Sequence, residues 1–135
     1  MIGVDTNVLV RYIVEDDPEQ SPKAFAMIER LLDRDERLFV PQLVICELVW
    51  VLSHAYRYER DAVVTILNTL RRSAQVVIED PDQVKRAVDA YAAGSGDLAD
   101  FLIAERAAAE GCSAVATFDR ALHADPRFRP PERIR

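Results

Sequence analysis

The residues of this sequence best suited to chemistry are acids: Asp5, Glu47, Asp97, Asp100 and Asp119. At helical spacing Asp97 and Asp100 share a face with Gly96, Ile103, Ala104 and Ala107, and a carboxylate among apolar side chains is costly to bury unless its charge is offset. Two carboxylates at i and i+3 also repel, which strengthens the demand for a cation. Glu47 is the sole ionisable group in the run Leu43–Leu52, so it reads as a buried acid in want of a partner. An all-oxygen acidic set is what Mg²⁺ or Mn²⁺ selects. The chain has no nucleophilic Ser or Cys arrangement, and His54 and His123 lack ligand spacing and read as structural or exposed. The chemistry left is metal-activated water attacking a phosphodiester, which needs no basic side chain at the reaction centre.

The elements that must position these acids alternate between strand and helix. Ile2–Asp5 reads as a buried strand that puts Asp5 at its carboxyl end, where ligands bind in open α/β sheets. Thr6 and Asn7 are good N-caps for the helix Val8–Ile13, and Asp16-Asp17-Pro18 reads as a solvated loop. A second helix, Lys23–Arg34, carries Ala24, Met27, Ile28, Leu31 and Leu32 on its apolar stripe. Strand Leu38–Val40 leads through Pro41 into the Glu47 helix, expected to be buried all round. Asp61 is placed to cap a helix over Ala62–Arg72, and Gln75–Ile78 is the third strand. After Asp80-Pro81 comes an amphipathic helix with Val84, Ala87, Val88 and Tyr91 inward. The loop Gly94-Ser95-Gly96 offers Ser95 or Gly96 as cap for the helix Asp97–Glu110, which ends at Gly111. Ser113–Thr117 is the fourth strand, with Asp119 just past its carboxyl end, and His123–Arg135 reads as an edge strand or a loop. Such alternation predicts an α/β fold with a mainly parallel sheet and helices on both faces. Right-handed crossovers then bring Asp5 and Asp119 to one edge of that sheet, within reach of Glu47 and Asp100.

A length of 135 residues suits one domain over residues 1–135. Half of the residues are hydrophobic, the range of ordinary globular proteins. The net charge of −6 argues against a binder held mainly by phosphate contacts. Arg57, Arg60, Arg71 and Arg72 form the modest basic cluster best placed to touch a phosphate backbone. Cys46 and Cys112 lack metal-ligand spacing and read as small buried hydrophobes. No apolar run reaches membrane-spanning length and no leader is apparent, so the expected location is cytoplasmic, with no membrane partner.

Asp5-Thr6-Asn7, the lone Glu47, Asp97-x-x-Asp100 and Thr117-Phe118-Asp119, in that order, resemble the PIN domain nucleases. In particular they resemble the VapC-type toxins of bacterial toxin–antitoxin pairs, and the resemblance covers essentially the whole chain. It implies a PIN-like three-layer α/β/α sandwich with a mainly parallel sheet and a Mg²⁺- or Mn²⁺-dependent endoribonuclease that hydrolyses RNA. It also implies a homodimer and a VapB-type antitoxin whose tail enters the acidic site. By position, Asp5, Glu47, Asp100 and Asp119 match the catalytic acids, with Asp5, Asp100 and Asp119 as metal ligands. Thr6, Asn7 and Thr117 match supporting positions that orient carboxylates or water. Asp97 is open between a further metal ligand and a helix-start residue favoured by the macrodipole. Two other readings stand beside this one. The first is an inactive PIN-like module that only binds a protein. The second is a phosphatase of the haloacid dehalogenase type, which also starts with a strand-end Asp. That type wants a second Asp where Asn7 stands, and its motif Lys is missing.

Overall fold

The first strand keeps only two residues, Ile2–Gly3 (β1), in a computed structural model that describes residues 1–135. Ile2 is exposed where a buried strand was expected, because β1 lies at the edge of its sheet and pairs on one side only. Two compact units make up the chain, Met1–Pro81 and Asp82–Arg135.

In the first unit β1, β2 (Leu38–Val40) and β3 (Val76–Ile78) form a sheet in that order, every pair parallel. Ile2 pairs with Leu38, and Leu38 in turn with Val76. Helices α1 (Thr6–Val14) and α2 (Gln20–Asp33) fill the first crossover. Helices α3 (Gln42–Trp50) and α4 (Arg60–Arg72) fill the second. Strands that step one way, joined by right-handed crossovers, put these four helices on one face of this sheet. The core between them is aliphatic: Leu9, Val40, Ile45, Leu48, Leu52 and Leu67 are fully buried.

Three local expectations change here. Helix α2 begins at Gln20, ahead of Lys23, because Asp17 Oδ1 accepts from the Glu19 and Gln20 amides at 2.9 and 2.7 Å. Asp17 is thus a capping side chain, and these amide bonds hold its carboxyl below the usual range. Asp16 likewise accepts from the Tyr56 hydroxyl at 2.9 Å. Helix α3 widens at its end into a π-helical turn, Val51–Ala55, and its outer face is open to solvent. Leu43, Trp50 and Glu47 all lie on that exposed face, so apolar composition did not mean burial all round. Helix α4 starts at Arg60, with Asp61 inside its first turn rather than at the cap.

In the second unit α5 (Pro81–Ala93) and α6 (Leu98–Ala109) precede β4 (Val115–Ala116), which pairs in parallel with β5 (Phe128–Arg129). Short 3₁₀ turns cover Arg120–Leu122 and Pro131–Arg133. The tail, left open between strand and loop, thus supplies one short strand. Val84, Val88, Tyr91, Leu98, Phe101 and Phe128 are buried. The Phe101 and Phe128 rings meet edge-on at 6.5 Å. Close approach explains both glycines of the loop before α6. A Cβ on Gly94 would lie 2.8 Å from the Phe101 ring, and one on Gly96 would lie 2.5 Å from Leu122 Cδ2. Cys46 is half-buried and Cys112 exposed, against the buried positions expected for both. Burial, with Glu47 alongside, pushes the Cys46 thiol up.

Candidate functional site

Asp5 leaves β1 as the N-cap of α1. Its Oδ1 accepts from the Thr6 amide at 2.7 Å, so Asp5 takes the capping role expected of Thr6 or Asn7. Thr6 is buried, and its hydroxyl donates to Glu47 Oε2 at 2.9 Å. One residue therefore fixes two carboxylates, one through its amide and one through its side chain. Asp5 Oδ2 and Glu47 Oε1 remain unengaged, and both residues are exposed. Asn7 lies outside this pair, in a shallow cleft with Arg11, Gln20 and Lys23. Glu79, which sequence reasoning missed, follows β3 and accepts from the Gln42 amide at 2.9 Å. It caps α3 from outside because Pro41, at the cap position, has no acceptor side chain. The signal was present in that missing cap.

In the second unit Asp97 is the N-cap of α6 and Asp100 its third residue. They form a capping box, in which the Asp97 amide donates to Asp100 Oδ2 at 2.9 Å. Ser95 instead donates its hydroxyl to the Ala121 carbonyl. Asp119 caps the turn Arg120–Leu122, accepting from the Ala121 amide at 3.0 Å, while its own amide donates to Thr117 Oγ1 at 3.0 Å. The supporting role expected of Thr117 is thus local to Asp119.

These contacts replace part of the argument for a cation. Asp5, Asp97 and Asp119 each sit at a helix or turn start, where amides and the helix dipole favour a negative charge. Repulsion between Asp97 and Asp100 is relieved by the capping box, and Glu47 is not buried. In neither unit do three His, Cys, Asp or Glu side chains gather into a ready metal cage. What remains on the surface is the Asp5–Thr6–Glu47 cluster: two fixed carboxylates with free oxygens. Hard oxygen donors of this kind fit Mg²⁺, which binds through one or two carboxylates and keeps several waters.

The buried, cation-paired acid is Glu105. It receives Arg86 Nε at 2.7 Å and Arg127 Nη1 at 2.9 Å, and Arg127 also holds Asp125 at 2.7 Å. The Arg127 hydrogen bond holds the Asp125 carboxyl below its usual range. The four arginines read as one basic cluster are divided by α4. Arg60 opens that helix and Arg57 precedes it, whereas Arg71 and Arg72 close it, about 16 Å along the axis. Arg71 is also committed in part, donating to Asn68 at 3.1 Å.

Comparison with known proteins agrees with this architecture. The sequence matches the PIN domain over residues 2–125. It is 30% identical over 118 residues to the VapC ribonuclease of Aquifex aeolicus (strain VF5), covering 87% of this chain and 86% of that protein. The match carries the fold class, a PIN-like three-layer α/β/α sandwich, and sets aside the dehalogenase-type alternative. A match across this much of the sequence, over strands and helices in the observed order, means that the chain belongs to the PIN domain family.

Proposed function

We propose that this protein is an endoribonuclease toxin of the VapC type, hydrolysing RNA phosphodiesters with a bound Mg²⁺ or Mn²⁺. The observation that carries the reading is the Asp5–Thr6–Glu47 cluster at the carboxyl end of β1, within a sequence related to a VapC ribonuclease. The metal, when bound, supplies an activated water and neutralises charge gathering on the phosphate. By their positions in the family's motifs, Asp5, Asp100 and Asp119 would supply the carboxylate oxygens that hold it. Thr6 keeps Asp5 and Glu47 in fixed orientation, so that Glu47 Oε1 is free to accept a proton from the attacking water. Thr117 does the same for the Asp119 backbone. Asp97, as an N-cap, is assigned to holding Asp100 rather than the metal.

The reading includes a VapB-type antitoxin as partner, a homodimer as the assembly and the cytoplasm as the place of action. No helix is long and apolar enough to cross a membrane. The testing experiment is cleavage of single-stranded RNA by the purified protein in Mg²⁺, in Mn²⁺ and in excess EDTA. Cleavage in either metal that stops in EDTA is expected; equal cleavage in EDTA would overturn the metal assignment. No cleavage in any of the three would favour the inactive, protein-binding module.

A further inference from the structure

The second unit holds a hollow of about 570 Å³ whose walls include Arg120, Arg129, Arg133 and His123, with Glu132 as the single acid. In a chain of net charge −6, three arginines against one glutamate is a local reversal of sign. Arg86 and Arg127 of the same unit are committed to Glu105, and Arg127 to Asp125 as well. Arg120, Arg129 and Arg133 have no carboxylate or side-chain partner and are exposed. Unpaired guanidinium groups around one concavity are suited to an anion with many oxygens, and phosphate is the match for their planar fork.

A second observation stands beside the hollow in the chain. Phe118 is 86% exposed, more than any other large hydrophobic residue. Its exposure is not that of a loose loop. The Thr117 amide donates to the Arg129 carbonyl at 2.9 Å, and the Asp119 amide to Thr117 Oγ1 at 3.0 Å. His123 Nε2 lies 3.1 Å from the Thr117 carbonyl. The backbone is thus pinned on both sides while the ring stands in solvent. Arg120 follows two residues later, which limits the Cα separation to about 7 Å.

An exposed aromatic ring on a pinned backbone, close in the chain to unpaired cations, is suited to holding single-stranded nucleic acid, stacking for the bases and charge for the backbone. We propose that the hollow of Arg120, Arg129 and Arg133, together with Phe118, is the binding site for single-stranded RNA. The arginines contact successive phosphates and Phe118 stacks on a base. This deepens, and rests on, the ribonuclease reading above. An acidic peptide would satisfy the arginines but leave the Phe118 face without a role, so RNA is the better occupant. Asp119, between Phe118 and Arg120, then lies within the RNA path.

The test is binding of a short fluorescein-labelled single-stranded RNA, followed by anisotropy in EDTA so that no cleavage intervenes, over a series of salt concentrations. Phe118→Ala is expected to weaken binding about tenfold, and Phe118→Trp to restore it. The combined variant Arg120→Gln, Arg129→Gln, Arg133→Gln is expected to lower affinity and reduce the log–log salt slope by about 2. All four positions are exposed, and a thermal melt confirms that each variant is folded. If the unaltered protein cleaves RNA in Mg²⁺ or Mn²⁺ and the variants bind like it, this inference falls and the ribonuclease reading stands. If the unaltered protein neither binds nor cleaves RNA, both fall. Variants that keep RNA affinity but lose affinity for a poly-glutamate peptide would overturn the inference in favour of an acidic partner.

Discussion

The Thr6 hydroxyl donates to Glu47 Oε2 at 2.9 Å, across 41 residues of sequence. Thr6 is buried and its amide also holds Asp5, so the link ties the strand-end acid to α3 without a metal. Supporting contacts of this kind are worth about 10- to 100-fold in activity at metal sites.

Replacing Thr6 by Val, of nearly the same shape, removes the hydroxyl and keeps the amide. RNA cleavage is expected to fall by about 10- to 100-fold, with about 1 kcal/mol of stability lost. Thr6→Ser retains the donor and most of the activity. Initial cleavage rates and melting curves on the two variants measure the split. Equal activity in Thr6→Val would deny the positioning role.

Glu47→Gln addresses the exposed acid. Gln can still accept from Thr6, and the site is on the surface, so stability is expected to change by less than about 0.5 kcal/mol. Activity is expected to fall sharply because Gln cannot take a proton. A marked rise in melting temperature in metal-free buffer would point back to a repelled, buried charge.

Glu105 is the acid whose removal should damage the fold. Its two arginine partners keep part of their surface in water, which softens the loss below that of a fully buried pair. Glu105→Gln is expected to cost about 2 kcal/mol in denaturant unfolding. A change within experimental error would show that the pair contributes no net stability.

Acid sensitivity follows from carboxyls held low in the folded state: Asp125 by Arg127, and Asp17 by the Gln20 and Glu19 amides. An unfolded Asp titrates near about 3.9, so their contribution is complete above that pH and is lost as pH falls through the lower folded values. The stability gap between the unaltered protein and Asp125→Asn should therefore narrow on acidification below about pH 4. Unfolding curves across that range test it, and a constant gap would contradict the assignment.

Sequence and structure part company in an instructive way at these acids. Short apolar runs, one ended by Pro41 and the other followed by Asp80-Pro81, marked β2 and β3 to within a residue, because strand periodicity and helix starts are local signals. The acids were legible as chemistry by type and order. Their structural duties were not, because Asp5, Asp97 and Asp119 cap from the position just before each helix, and neighbouring Thr, Ser and Asn residues offer the same chemistry. Glu47 was misjudged because an apolar helix segment does not reveal which of its faces meets solvent. Glu105 escaped notice because its partners lie 19 and 22 residues away, beyond any helical spacing.

The most direct test of the account is Asp5→Asn. Asn caps a helix about as well as Asp, so the melting temperature should be unchanged while the charge proposed to ligate the metal is gone. Cleavage of single-stranded RNA in saturating Mg²⁺ or Mn²⁺ is expected to fall by about 100-fold or more. Undiminished cleavage by the folded Asp5→Asn protein would leave Asp5 a cap and nothing more, and would contradict the assignment of this carboxylate to the metal.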